Sequence, residues 1–117
     1  MTPADVIEYC LAKKGVEEMT PFGPEVLVYK VMGKLFALID PDEYPCFVNL
    51  KCDPDRALEL RDEHDAIKPG YHMSKKHWNS VYLDGSLSSD LVMELIDHSY
   101  ELVVQGLKKS DREKLGF

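Results

Sequence analysis

The sequence has no run of eighteen apolar residues, so no segment can cross a bilayer as a helix, and a membrane partner is not expected. Its start, Met1-Thr2-Pro3-Ala4-Asp5, lacks the basic stretch and apolar run of a secretory signal, which points to the cytoplasm. Cysteine is scarce. Cys10, Cys46 and Cys52 are odd in number and show no Cys-x-x-Cys spacing, so they read as small buried thiols rather than as a disulfide framework or metal site. Basic residues are the minority, 14 against 21 acidic ones, giving a net charge of -7. A chain this acidic has no general attraction for nucleic acid or anionic lipid, so any polyanion site must be local.

Catalytic signatures are missing as well. The glycines are isolated and form neither a phosphate loop nor a dinucleotide fingerprint. His64, His72, His77 and His98 have no acid or cysteine at metal-ligand spacing, and His-Glu-x-x-His is absent. No serine sits in a nucleophile-elbow sequence. Asp53 and Asp55 read as a helix cap and a first-turn acid rather than as a catalytic pair. The expectation is a protein without metal or cofactor that is not an enzyme.

What is present fits one domain over residues 1–117, with 44% apolar residues available for a core. Thr2-Pro3-Ala4-Asp5 opens a helix, Val6, Ile7, Cys10 and Leu11 form its stripe, and Gly15 ends it. Residues 16–24, with Pro21, Gly23 and Pro24, read as a connecting loop. The period then becomes two: residues 26–32 and 34–39 are strands joined at Gly33, and 46–51 form a third. In that third strand, Cys46, Val48 and Leu50 face one side and Phe47, Asn49 and Lys51 the other. Asp53-Pro54 starts a second helix, and short strands follow near 66–68 and 79–83. Ser88 caps a last helix, whose apolar stripe runs from Leu91 to Leu107. The charged tail from about Lys108 is expected to fray. This order, α-β(3)-α-β(2)-α, implies a two-layer α+β fold with an antiparallel sheet covered by helices.

The segment from Lys68 to Asn79 stands out, gathering three lysines, two histidines, a tyrosine and the only tryptophan into twelve residues. Lys68, Lys75 and Lys76 suit phosphates, His72 and His77 can donate to an anion, and Tyr71 and Trp78 can stack on bases. Asn79 can read a base edge. The same composition also fits a rigid corner at Pro69-Gly70 whose rings are buried. A third reading, a small-molecule or enzyme site around Tyr71, His72 and His77, requires a concave pocket with converging polar groups.

The runs Gly33–Ala37, Phe47–Pro54, Lys68–Val81 and Leu91–Val103 resemble the MmcQ/YjbR family, most specifically through Gly70-Tyr71-His72-Met73-Ser74-Lys75-Lys76-His77-Trp78. The likeness extends from the first helix to about Leu107. It implies a fold grouped with the CyaY-like proteins and type III secretion chaperones, and a described double-wing DNA-binding motif. Carried onto this chain, that motif falls on Lys68, Tyr71, His72, Lys75, Lys76, His77 and Trp78, with Asn79 beside them. The partner implied is DNA. The alternative is another protein, bound by an interaction or chaperone-like module that is a monomer or weak homodimer.

Overall fold

The computed structural model describes residues 1–117. Helix α1 (Pro3–Leu11) begins with a reciprocal cap, in which the Asp5 amide donates to Thr2 Oγ1 and the Thr2 amide donates to the Asp5 carboxylate. Val6 and Cys10, one turn apart, are fully buried. Strand β1 (Val16–Met19) follows, then β2 (Leu27–Val31), β3 (Lys34–Ile39) and β4 (Phe47–Lys51). Next come α2 (Pro54–Glu63), β5 (Ile67–Pro69), β6 (Trp78–Tyr82), α3 (Ser89–Gln105) and α4 (Lys109–Leu115).

The six strands form one antiparallel sheet in the order β1-β2-β3-β4-β6-β5. The expected α+β architecture, an antiparallel sheet flanked by helices, is the one observed. Helix α3 lies over β2, β3 and β4, while α2 lies over β5 and β6. Beneath them, Ile39, Val48, Leu50 and Val81 meet Val92, Leu95, Ile96 and Val103 in a single core. Buried Ser99 stitches the layers: its hydroxyl donates to the Phe36 carbonyl at 2.6 Å and accepts from the Lys51 amide at 2.9 Å. These two groups lie beyond the paired stretch of β3 and β4, so the hydroxyl satisfies donors and acceptors that the sheet leaves open.

Two elements depart from the sequence reading. Residues 16–19 are not loop but edge strand β1, registered from Val16–Val31 to Met19–Val28. Glu17-Glu18 breaks the apolar alternation there, and Glu18 instead accepts a 2.7 Å hydrogen bond from the buried Tyr29 hydroxyl. The tail does not fray either. Helix α4 docks its single apolar side chain, Leu115, against Gly15, where a Cβ would lie 2.4 Å from the Leu115 methyl. Gly15 also has φ +73°, so the close approach and the left-handed backbone both require glycine.

The candidate interface on the bare face of the sheet

Antiparallel partners point to the same side of a sheet. The register of β4 with β6 therefore puts Phe47 and Tyr82, Asn49 and Ser80, and Lys51 and Trp78 on the face away from the helices. Lys68 joins them through its pairing with Ser80. The connection from Gly70 to His77 folds back over this face and is held by hydrogen bonds. Asn49 Nδ2 donates to the Tyr71 carbonyl at 3.1 Å, and the Tyr71 amide donates to Ser80 Oγ at 2.9 Å. The Ser80 hydroxyl donates in turn to Asn49 Oδ1 at 2.5 Å. Asn49 and Ser80 are buried, so this three-member network is shielded from water and each group would be costly to leave unmet.

The far end of the loop is tied to α2. Arg61 donates from Nε to Asn79 Oδ1 at 2.7 Å, and from Nη2 to the carbonyls of Lys75 and of Trp78, the latter at 3.2 Å. The Cys52 amide donates to the His77 carbonyl at 2.8 Å, and Lys75 Nζ donates to the Gly70 carbonyl at 3.0 Å. Gly70 itself is pressed against β6, where a Cβ would meet Trp78 Cβ at 2.7 Å. The Pro69-Gly70 corner is thus a fixed structural staple, yet the side chains beyond it are not buried by it.

Lys68, Tyr71, His72, Lys75, Lys76 and His77 are exposed, and Trp78 is half-buried. Asn79 is different. Its side chain lies on the helix side beside Leu50, only 2% exposed, with Oδ1 taken by Arg61 and Nδ2 buried without an acceptor. The reading of Asn79 as a base-edge contact is corrected accordingly: strand alternation turns it away from the surface that Trp78 and Ser80 share.

The loop also divides its residues between two surfaces. Lys75 and Lys76 border a groove beside α2 with Asp55, Leu58 and Arg61. Tyr71, His72 and Met73 instead wall a cleft of about 340 Å³ over the bare sheet, floored by Leu38, Phe47 and Asn49. Phe22 and Val26, from the β1–β2 connection, complete it with Asp40 and Glu43 from the β3–β4 turn. His72 stands at φ 59°, a left-handed conformation that costs about 1–3 kcal/mol in a residue other than glycine. Its ring packs 4.0 Å from that of Tyr71, which meets Phe47 edge-on at 5.9 Å.

Phe22 had no place in the sequence reading of a site, and Asp40 and Glu43 read there only as part of a solvated acidic turn, at most a weak holder of a divalent cation. Strand order alone brings them beside residues about thirty to fifty positions on; the available signal was a bulky ring, Phe22, set between Pro21 and Gly23 in a connection. Elsewhere, no group of three or more His, Cys, Asp or Glu side chains converges as a metal site, and the three cysteines are free. Burial pushes the thiols of Cys10 and Cys52 up, to about 12 and about 11. No helix is long and apolar enough to cross a membrane.

Comparison with known proteins places this architecture. The uncharacterized protein YbdF of Escherichia coli O157:H7 is 46% identical over 100 residues, covering 86% of this chain and 82% of that one. The uncharacterized protein YjbR of Escherichia coli K12 is 36% identical over 115 residues, 98% of each chain. Among solved structures, the Deinococcus radiodurans protein DR2400 superposes with a TM-score of 0.91 at 41% identity, covering 99% of this chain and 88% of that one. A Pseudomonas syringae crystal structure gives a TM-score of 0.77 at 28% identity over 87% of this chain and 98% of that one. The YjbR family model matches residues 11–102, and the chain belongs to the MmcQ/YjbR family.

Proposed function

We propose that the chain is a single-domain, non-enzymatic DNA-binding module that contacts phosphates through the loop between β5 and β6. Family membership points to a nucleic-acid- or protein-binding module. The observation that favours DNA is the exposure of Lys68 on β5 and of His72, Lys75, Lys76 and His77 on the connection after it, whose backbone is pinned at both ends. Groups on a fixed backbone lose less freedom on binding, and Tyr71 in the same connection and Trp78 at its end offer rings for contact with sugars or bases. The net charge of -7 works against any polyanion, so affinity must come from these few contacts and must fall steeply with salt.

Fluorescence anisotropy of short duplex and single-stranded DNA, at low and physiological salt, tests this reading. Lys76→Ala and Lys68→Ala are the informative variants, since Lys75 also ties Gly70 and its loss would disturb the loop. Each phosphate contact removed should lower the salt slope by about 1. Absence of binding at low salt, or an affinity insensitive to salt and to both variants, would sink the DNA reading. A protein-interaction or chaperone-like module is the second reading. Phe22, Tyr44 and Met19 favour it, being 69%, 96% and 41% exposed on connections and on the edge strand.

A further inference from the structure

The cleft over the bare face of the sheet has a chemistry the DNA reading does not use. Its volume, about 340 Å³, lies within the roughly 300–1,000 Å³ of small-molecule sites. Phe22 and Tyr71, on different connections, present rings that the fold leaves 69% and 53% exposed, and Phe47 closes the floor between them. The faces of such rings carry negative potential and attract cations. Asp40 and Glu43 add full negative charges, and neither has a basic partner: the ion pairs of the chain are Lys13–Asp97, Arg56–Glu94 and His64–Glu63. No lysine or arginine lines the cleft. The neighbouring Cys46 thiol registers the same field, since burial raises it and the charges of Asp40, Glu43 and Asp42 raise it further.

We propose that this cleft binds a small organic cation, with an ammonium or guanidinium head on an apolar body about the size of one aromatic ring. The body displaces water from Leu38, Phe47 and Met73, while the head meets the rings and the unpaired carboxylates of Asp40 and Glu43. An anionic or purely apolar molecule of the same size gains only part of this. Tyr71 and His72 belong to both readings, but the two are separable, because neither Lys68 nor Lys76 lines the cleft and neither Asp40 nor Glu43 serves the DNA reading.

The test is titration of the whole chain with benzyltrimethylammonium at pH 8, where an ordinary imidazole is neutral, read by heteronuclear NMR. Benzyl alcohol and phenylacetate serve as the neutral and anionic counterparts. Saturable binding of the cation is expected, with shifts at Phe47, Tyr71 and His72 and weaker or absent binding of the other two. Glu43→Gln alters an exposed side chain. Asp40→Asn keeps the oxygen that accepts from the Asp42 amide. Together they should weaken the cation about tenfold, the effect of 1.4 kcal/mol. Equal binding of benzyl alcohol or phenylacetate, indifference to the double variant, or no saturation by the cation would overturn the proposal. Binding of a lysine-bearing peptide without the small cation would also overturn it, identifying a docking site instead.

Discussion

The two faces of the one sheet are closed by different forces. On the helix side, Ile39, Val48, Leu50 and Val81 disappear under α3 and α2, and the contact is almost wholly apolar. On the other side a single connection is laid over β4 and β6, held by Asn49, Ser80 and Arg61 through directional bonds. Apolar burial scales with area and tolerates small shifts of geometry. A hydrogen-bonded pin fixes position but adds little net stability. The helix-covered face therefore supplies the stability of the fold, and the bare face supplies a rigid display of side chains. No helix covers the second face, and the rings of Phe22 and Tyr71 stand exposed over it.

The largest expected effect lies on the covered face. Ile96 is fully buried in α3 against the sheet, and Ile96→Ala should cost about 2–5 kcal/mol through lost burial and the cavity left behind. Urea unfolding measures it. Binding by the bare face, measured where the variant is still folded, should be unchanged. If this variant weakened binding as strongly as stability, the two faces would not be separable and the comparison would fail.

Asn49→Ala probes the other face and should cost less, about 1–3 kcal/mol, by leaving the Tyr71 carbonyl and the Ser80 hydroxyl without their partner. Its signature is local. Hydrogen exchange at the Tyr71 amide and its neighbours should accelerate well before the α3 amides respond. Uniform loss of protection across both elements would show that the loop is part of the core rather than a display upon it.

The same contrast explains what was legible in the sequence. Helix α3 and the β2–β3 hairpin follow apolar periodicity, because burial on one face selects residues at a fixed spacing. β1 was unreadable for lack of that selection: Glu17 and Glu18 occupy an edge, and the partner of Glu18 is a tyrosine hydroxyl one strand away. α4 has one apolar residue, Leu115, too few for any period. In the site, composition marked the 68–79 segment, but side-chain direction depends on register, which turned Asn79 inward beside Arg61. The acidic turn at Asp40 and Glu43 was visible as such, but its place opposite Tyr71 was not, since nothing local to Phe22, Asp40 or Glu43 refers to Tyr71.

The smallest expected effect concerns the seam between α2 and α3, where the covered face itself uses a polar contact. His98 of α3 accepts a hydrogen bond at Nε2 from the Asp53 amide, at 3.1 Å, just before α2. Only the neutral imidazole offers that acceptor. Burial holds its pKa below the usual 6.5, and Arg56 acts in the same direction, while Asp53, Glu101 and Glu94 oppose them. With the folded pKa depressed, the unfolded chain takes up the proton first as pH falls. The contribution of His98 is thus complete above about pH 6.5 and is lost as pH falls through the lower, folded value. Urea midpoints at pH 7.5 and 5.5 should therefore drop further for the native chain than for His98→Gln, whose amide oxygen can accept the same bond without titrating. Parallel drops would assign the acid sensitivity to the carboxylates instead. A larger drop in His98→Gln would mean that the imidazolium is the favoured form at this seam, with the three carboxylates outweighing burial.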